Sequence, residues 1–519
     1  MHRCLHIPEI FSLICTHCRR ADAVALARTC RAFYEPAHDR IWAHLEDLKP
    51  LIMCMPEDLW QNSNEEDLFQ DFVFQRPILP SDWSGFEKHA RRVRSIASCT
   101  HSYLDRADFY SLTVSAAGRT LFPKLQEIDW SDTSSGHVAD TFAFVVPFLG
   151  PHLLHVKLFA RTMPIALLQL AVVVTLPARC PYLKTLAVNH YEMCMSAASA
   201  SVLSTAICSF SYLESATVCD ISFTAFRHLA SLPTLTSLLL RLNIENFTDT
   251  DTDLLAFPAL RDFCLYSSLK ISSCARLIDR MGCSNLQLLD IECREGVSQG
   301  DWPALISAIH RRVPASTLTS LSIRNTTQSG LELALWDAQA EHTPQTFSDI
   351  QPLLAFPRLT FLCLEAVRGF DLDDAAVAAL ARALPCLRTL RIEGVSVRHN
   401  PRTTAQSLLA LAEGCAHLDT LGINVDARIA PPGLGMRRTR HTALRTLHVD
   451  VSPLQDASRF ARFLSGVFPC LGAVQYGRVN DYEKGWTQVQ KLYRAFVDVR
   501  AEEAIFLRED AAAVACDVP

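Results

Sequence analysis

Cys15, His17 and Cys18 stand in one four-residue word, Cys15-Thr16-His17-Cys18, with Cys4 and His6 close by, and thiolates and imidazoles at such spacing are zinc-ligand types. A structural zinc site needs four ligands, usually as two pairs, and no second Cys-x-x-Cys follows at a suitable distance. On a helix Cys15 and Cys18 fall on one side, so burial accounts for them without a metal. No Gly-x-x-x-x-Gly-Lys phosphate loop and no His-Glu-x-x-His pair occurs, and the plentiful Ser, His and Asp form no spaced set. The expectation is a non-catalytic chain with no catalytic residue, no metal site and no cofactor.

The chain has 519 residues, 49% hydrophobic and 20% charged, enough for a large core. With 49 Lys and Arg against 55 Asp and Glu, the net charge of −6 offers no general attraction to nucleic acid or to anionic membranes. The nineteen Cys sit mostly in apolar runs such as Phe263-Cys264-Leu265 and Leu362-Cys363-Leu364, so they read as small buried hydrophobes in a reducing compartment. The N-terminus lacks the apolar core of a signal peptide, and the longest apolar stretch, residues 165–176, is too short to span a bilayer. A cytoplasmic or nuclear location is expected.

One word recurs along most of the chain: a small or apolar residue, often Pro, one variable residue, then Leu-x-x-apolar-x-apolar. Clear copies are Cys180-Pro181-Tyr182-Leu183-Lys184-Thr185-Leu186-Ala187-Val188 and Leu384-Pro385-Cys386-Leu387-Arg388-Thr389-Leu390-Arg391-Ile392. The first Leu of the word stands at thirteen positions from Leu125 to Leu471, at a mean spacing of about 29 residues, within the leucine-rich-repeat range. The last two apolar positions point inward on a strand, and the residues beside them point outward. Between the words, residues 138–149, 196–210, 373–384 and 405–414 carry apolar residues at three- and four-residue spacing, as return helices would. Strand then helix, repeated, predicts an α/β fold: a right-handed solenoid with a concave parallel sheet. Pro before so many strands argues against a leucine-rich helical bundle.

Residues 5–45 lack this word. Pro8 suits a first helical turn, and Ile7, Ile10, Phe11 and Ile14 share one helical face. Asp22 can open a second helix, and Phe33, Ala37, Ile41, Trp42 and Leu45 form the stripe of a third. The Leu5-x-Ile7-Pro8-Glu9-Ile10 opening, the Cys30-Arg31-Ala32-Phe33 segment and the closing Ile41-Trp42-x-x-Leu45 resemble the F-box, and the repeats behind them resemble the leucine-rich repeats of F-box/LRR proteins. Two departures are His17-Cys18-Arg19-Arg20 in place of a Leu-Pro bend, and Phe33 in place of the commoner Trp. The resemblance implies docking onto the Skp adaptor of a cullin-RING ubiquitin ligase, with Leu5, Ile7, Pro8, Glu9, Ile10, Ile14, Leu26, Cys30, Phe33 and Trp42 as adaptor-binding residues. It implies that the repeats hold a protein substrate of unknown identity while other subunits carry the ubiquitin chemistry. The alternative is a helical cap on a repeat scaffold or inhibitor; a further one is a repeat protein that stimulates a small GTPase.

The domain expectation is a three-helix module over residues 1–50, an acidic linker and capping helix over 51–92, the solenoid over 93–500 and an acidic tail over 501–519. Residues 57–71 hold six carboxylates and no Lys or Arg and read as a solvated loop; Ser84 and Glu87 fit a capping box. Substrate-binding candidates are outward strand positions: His155, Lys157, Asp262, Tyr266, Asp290, Arg324, Phe361, Arg391, Glu393 and His448. Their mixed signs and few aromatics suit a protein or peptide rather than nucleic acid. Two long loops, residues 325–350 and 427–441, break the period. The second carries Arg437-Arg438-Thr439-Arg440, which reads as a polar loop or as a taker of acidic or phosphorylated segments.

Overall fold

Alternation within the repeat word sets the local structure. Strand Ser237–Leu242 alternates half-buried and buried residues, and strands Asp262–Ser267 and Leu288–Cys293 repeat that alternation residue for residue. Before many of the strands the chain turns through Pro: the Leu183 N–H donates to the Cys180 carbonyl at 3.3 Å and the Leu153 N–H to Gly150 at 3.1 Å, with Pro181 and Pro151 at the second turn position. Proline presets the φ such a turn needs and cannot extend a helix.

A computed structural model of the chain describes residues 7–62, 72–97, 106–132, 141–160, 163–190, 196–242, 254–294, 300–325, 344–367, 369–394, 401–429, 440–476 and 482–516. Leu5, the acidic residues 65–71, the greater part of both long loops with Arg437 and Arg438, and residues 517–519 lie outside the described residues, as does the Pro8 side chain. Residues 1–248 and 249–519 form two compact units.

In the first unit the strands His44–Leu45, Ser95–Ile96, Glu127–Asp132, His155–Ala160, Thr185–His190, Ser215–Cys219 and Ser237–Leu242 pair in chain order, all parallel. The register never slips: Ser95, Glu127, His155, Thr185, Ser215 and Ser237 stand side by side. Ile128, Val156, Leu186 and Leu238 therefore form one buried row. The second unit repeats the pattern with Asp262–Ser267, Leu288–Cys293, Ser320–Asn325, Phe361–Ala366, Thr389–Gly394, Thr420–Ile423, Thr446–His448 and Ala473–Gln475. Its inward row runs Phe263, Leu289, Leu321, Leu362, Leu390, Leu421 and Leu447, each at most 1% exposed. The chain is thus α/β with a repeated strand–helix unit and parallel ladders.

Return helices occupy Ala197–Ile207, Phe223–Ser231, Asp374–Ala383, Ala405–Gly414 and Ala457–Val467. Side-chain oxygens of Ser196, Ser222, Asp373, Thr404 and Asp456 cap their N-termini. Residues 141–148 differ from the expected helix: they form a 3-10 helix containing Pro147, whose ring disfavours the α ladder.

The linker departs from its sequence reading. Trp60–Asn62 pairs antiparallel with Phe72–Phe74, so apolar residues at both ends of the acidic stretch make a short hairpin. Helix Trp83–Ala90 begins after Asp82, not at a Ser84 capping box. The Asp82 carboxylate instead accepts from Arg76 Nη1 and the Leu79 N–H, both at 2.7 Å, and Glu87 pairs with Arg119. Leu45 belongs to the first ladder strand and not to a helical stripe. At the other end, helix Glu483–Cys516 buries Trp486, Val489 and Tyr493, whose hydroxyl donates to the Phe468 carbonyl at 2.7 Å. The last repeat is therefore covered by residues before 501, while Ala501, Glu502 and Glu503 are exposed.

Buried thiols line these cores. Burial pushes the Cys283 thiol up to about 12 and those of Cys180 and Cys415 to about 11, whereas Cys386 is exposed. Alkylation needs the thiolate, so at about pH 8 iodoacetamide labels Cys386 in the native protein and labels Cys180, Cys283 and Cys415 only after unfolding. Peptide mass spectrometry checks this; native labelling of those three as fast as Cys386 contradicts the packing.

Candidate protein-interaction surfaces

Three short helices open the described chain: α1 (Pro8–His17), α2 (Arg20–Ala27) and α3 (Arg31–Trp42). Pro8 stands in the first turn of α1, where its missing N–H costs no hydrogen bond. Phe11, Cys15 and Phe33 make the small core, with Leu26 and Cys30 partly buried against it. The Phe11 and Phe33 rings stack with centroids 4.1 Å apart. Arg40 Nε donates to the Cys18 carbonyl at 3.0 Å, so α3 holds the bend that the sequence builds without a Leu-Pro pair.

This arrangement divides the expected adaptor-binding residues. Ile7, Ile10 and Ile14 are 45%, 39% and 40% exposed, and Glu9 is also exposed. Phe33, expected on the docking surface, is instead 7% exposed because its ring is needed to cover Phe11. Leu26 and Cys30 likewise turn partly inward, and Trp42 is half-buried with its ring 4.4 Å from that of His89. Cys15 sits in the core, and among the described residues no group of three or more His, Cys, Asp or Glu is placed to hold a metal ion. Leu13, 63% exposed, and Val24, 43% exposed, widen the aliphatic surface, and the sequence reading missed both. The signal was faint because α1 is apolar on two faces, so periodicity alone does not say which face goes in.

Arg92 holds this module against the helix Trp83–Ala90 segment. Its guanidinium, 9% exposed, pairs with both Glu35 and Asp39 of α3. The hydrogen bond from Arg92 holds the Glu35 carboxyl below its ordinary value.

On the outward ladder face of the first unit, His155 Nδ1 lies 2.9 Å from Thr185 Oγ1 and Lys157 Nζ 3.3 Å from Glu127 Oε1. In the second unit a connected charge network occupies the corresponding face. Tyr266 Oη donates to Asp290 Oδ2 at 3.2 Å, and Arg324 reaches both Asp290 at 3.1 Å and Glu292 at 3.3 Å. Arg391 makes a two-pronged pair with Glu393 at 2.8 and 2.7 Å. Glu365 stands in register between Arg324 and Glu393. Burial, with Glu393 nearby, raises its carboxyl above the ordinary value. The structure thus brings Tyr266, Asp290 and Arg324 together, and Arg391 with Glu393. Phe361 lies in register between Ser320 and Thr389, His448 pairs with Gly422 and Gln475, and Asp262 faces Leu288 across the ladder. Each cation of this network is already held by carboxylates, so the face offers an organised polar surface rather than free positive charge.

One Gly-x-Ser-x-Gly word occurs, at Gly296-Val297-Ser298-Gln299-Gly300, and the expectation of no catalytic residue left it out of account. Ser298 lies outside the described residues. Among the described residues no helix is long and apolar enough to cross a membrane.

No protein-family model matches the sequence, and no curated protein matches it. Among solved structures, the crystal structure of a Rad7 and Elc1 complex in yeast has a chain similar over 69% of this one and 76% of its own, at 15% identity and a TM-score of 0.34.

The module's integrity rests on one ring pair. Phe33→Ala removes a buried ring and costs about 3–5 kcal/mol locally, more than a module of this size can lose. Amide exchange measured by mass spectrometry shows α1–α3 unprotected in the variant while strands such as Leu288–Cys293 keep their protection. Unchanged protection of α1 contradicts the assignment of Phe33 to the core.

Proposed function

We propose that the chain is the substrate-recognition subunit of a Skp-cullin-F-box ubiquitin ligase, with the N-terminal module docking on the Skp adaptor and the repeats holding a protein substrate. One observation carries the reading: Ile7, Ile10, Leu13, Ile14 and Val24 are exposed on a module whose core is already filled by Phe11, Cys15 and Phe33. Exposed aliphatics grouped on one small unit favour a surface that a partner covers. A helical cap on a scaffold would spend those side chains against the repeats. The module is instead fastened by Arg92 and the aromatic contact of Trp42 with His89, which leaves the aliphatics available.

In this reading the chain performs no bond chemistry. Its parallel ladders hold outward polar groups in fixed register, which is what a protein-recognition surface needs. The charge network around Arg324 is satisfied internally, so it suits a partner that matches a pattern of donors and acceptors rather than one that supplies bulk charge. Ubiquitin transfer belongs to the subunits that the adaptor recruits.

Co-expression with a Skp adaptor tests the proposal. The natural chain retains the adaptor through purification. An Ile10→Asp, Ile14→Asp double variant, with an unchanged circular-dichroism melt, retains about tenfold less or none, because charged groups replace anchors at the covered surface. A folded natural chain that captures no adaptor overturns the reading and leaves the repeats as a free-standing scaffold.

A further inference from the structure

The turns that precede the strands of the first unit form a second surface, which the proposed function does not use. Phe122-Pro123-Lys124-Leu125, Gly150-Pro151-His152-Leu153 and Cys180-Pro181-Tyr182-Leu183 are three successive copies of one turn, each closed from its last N–H to its first carbonyl. Phe210-Ser211-Tyr212-Leu213 follows at the same place before the next strand. Because the ladder is in register, the third residues of these turns, Lys124, His152, Tyr182 and Tyr212, recur once per strand, at about 4.8 Å intervals. Arg94 stands before the neighbouring strand, and its carbonyl accepts from the Gln126 N–H at 2.8 Å. Arg94, Lys124, Gln126, His152 and Tyr182 line an open groove of about 610 Å³ together with Pro151 and Leu154.

The two ends of this groove differ chemically. Arg94 and Lys124 are exposed and make no ion pair among the described residues, although most cations of the second unit's outward face are held by carboxylates. Lys184, two strands on from Lys124, is held by Glu214 at 2.8 Å, so positive charge stops there. Beside it Tyr182 and Tyr212, 56% and 51% exposed, pack ring against ring with centroids 5.7 Å apart. Exposed tyrosines that support each other lose little freedom on binding and offer broad faces to an aromatic or Pro residue.

We propose that this groove binds an extended acidic or phosphorylated segment of a partner protein, its anionic group at Arg94 and Lys124 and an aromatic or Pro residue at Tyr182 and Tyr212. Guanidinium and ammonium groups with free donors form charge-assisted bonds to carboxylate or phosphate. Single-stranded nucleic acid also stacks on aromatics, but it needs cations that track several phosphates. Here the cations occupy one end only, and the chain's net charge of −6 opposes a polyanion. The inference does not depend on adaptor binding.

The full-length protein, without adaptor, is panned against short random peptides built around a fixed phosphoserine, Glu or Gln, and titrated in parallel with an oligothymidine. The expected result is enrichment over the Gln set of peptides with an aromatic or Pro residue near the anionic position. Preference for phosphoserine identifies a modified segment, and equal binding of Glu identifies an acidic one. An Arg94→Glu, Lys124→Glu variant binds the recovered peptide about tenfold more weakly and loses the salt dependence. A Tyr182→Ala, Tyr212→Ala variant also weakens binding but keeps that dependence. All four positions are exposed, and melting curves confirm that the variants fold. No enrichment over the Gln set, equal binding by the charge variant, or tighter binding of oligothymidine overturns the proposal.

Discussion

Parallel register is the constraint on which the rest depends. A strand of this chain buries two or three apolar side chains on one face and cannot do so alone, so each inward row becomes water-free only when the next strand lies beside it without a slip. Shifting a strand by one residue would move Leu390 outward and Arg391 into the row shared with Leu362 and Leu421, burying a charge with no partner. The same fixed register that makes the core continuous also puts outward residues in straight columns. The ladder face and the column of turns beside it both inherit their geometry from that fact.

The Pro-containing turn is the second consequence of the repeat. It ends the return segment, starts the strand and projects one variable residue per repeat. In the first unit that residue is Lys124, His152 and Tyr182 in succession, and in the second it includes Arg358 and Cys386; before Tyr212 and His417, Ser211 and Ala416 stand where the Pro would be. The ladder face and the turn column are thus two ordered surfaces with one structural origin. The three-helix module obeys a different rule: it is too small for a large core, so it closes around one stacked ring pair and leaves much of its aliphatic surface uncovered.

The strand word was legible because alternation and the preceding Pro act locally. The helices at 374–383 and 405–414 were legible because their apolar period and their caps, Asp373 and Thr404, are also local. What sequence left open depends on distant groups. Ser84 and Glu87 have capping-box spacing, but Asp82 is fixed by Arg76, which moves the helix start. Trp60 and Phe74 stand at the two ends of an acidic stretch, and nothing local announces that they pair antiparallel. Phe33 and Ile14 are both apolar residues of short helices, and the partner chosen by Phe11 decides which of them is buried and which is exposed. The network of Tyr266, Asp290, Glu292 and Arg324 was visible as outward positions, yet its closure required the register.

Amide hydrogen exchange of the full chain, alone and saturated with a Skp adaptor, tests the central claim most directly, because it reads the ladder and the module in one sample. The account predicts that the ladder strands exchange slowest in both states and that the adaptor adds protection confined to residues 7–27. Adaptor-induced protection spread over the ladder strands, with α1 and α2 unchanged, would contradict it.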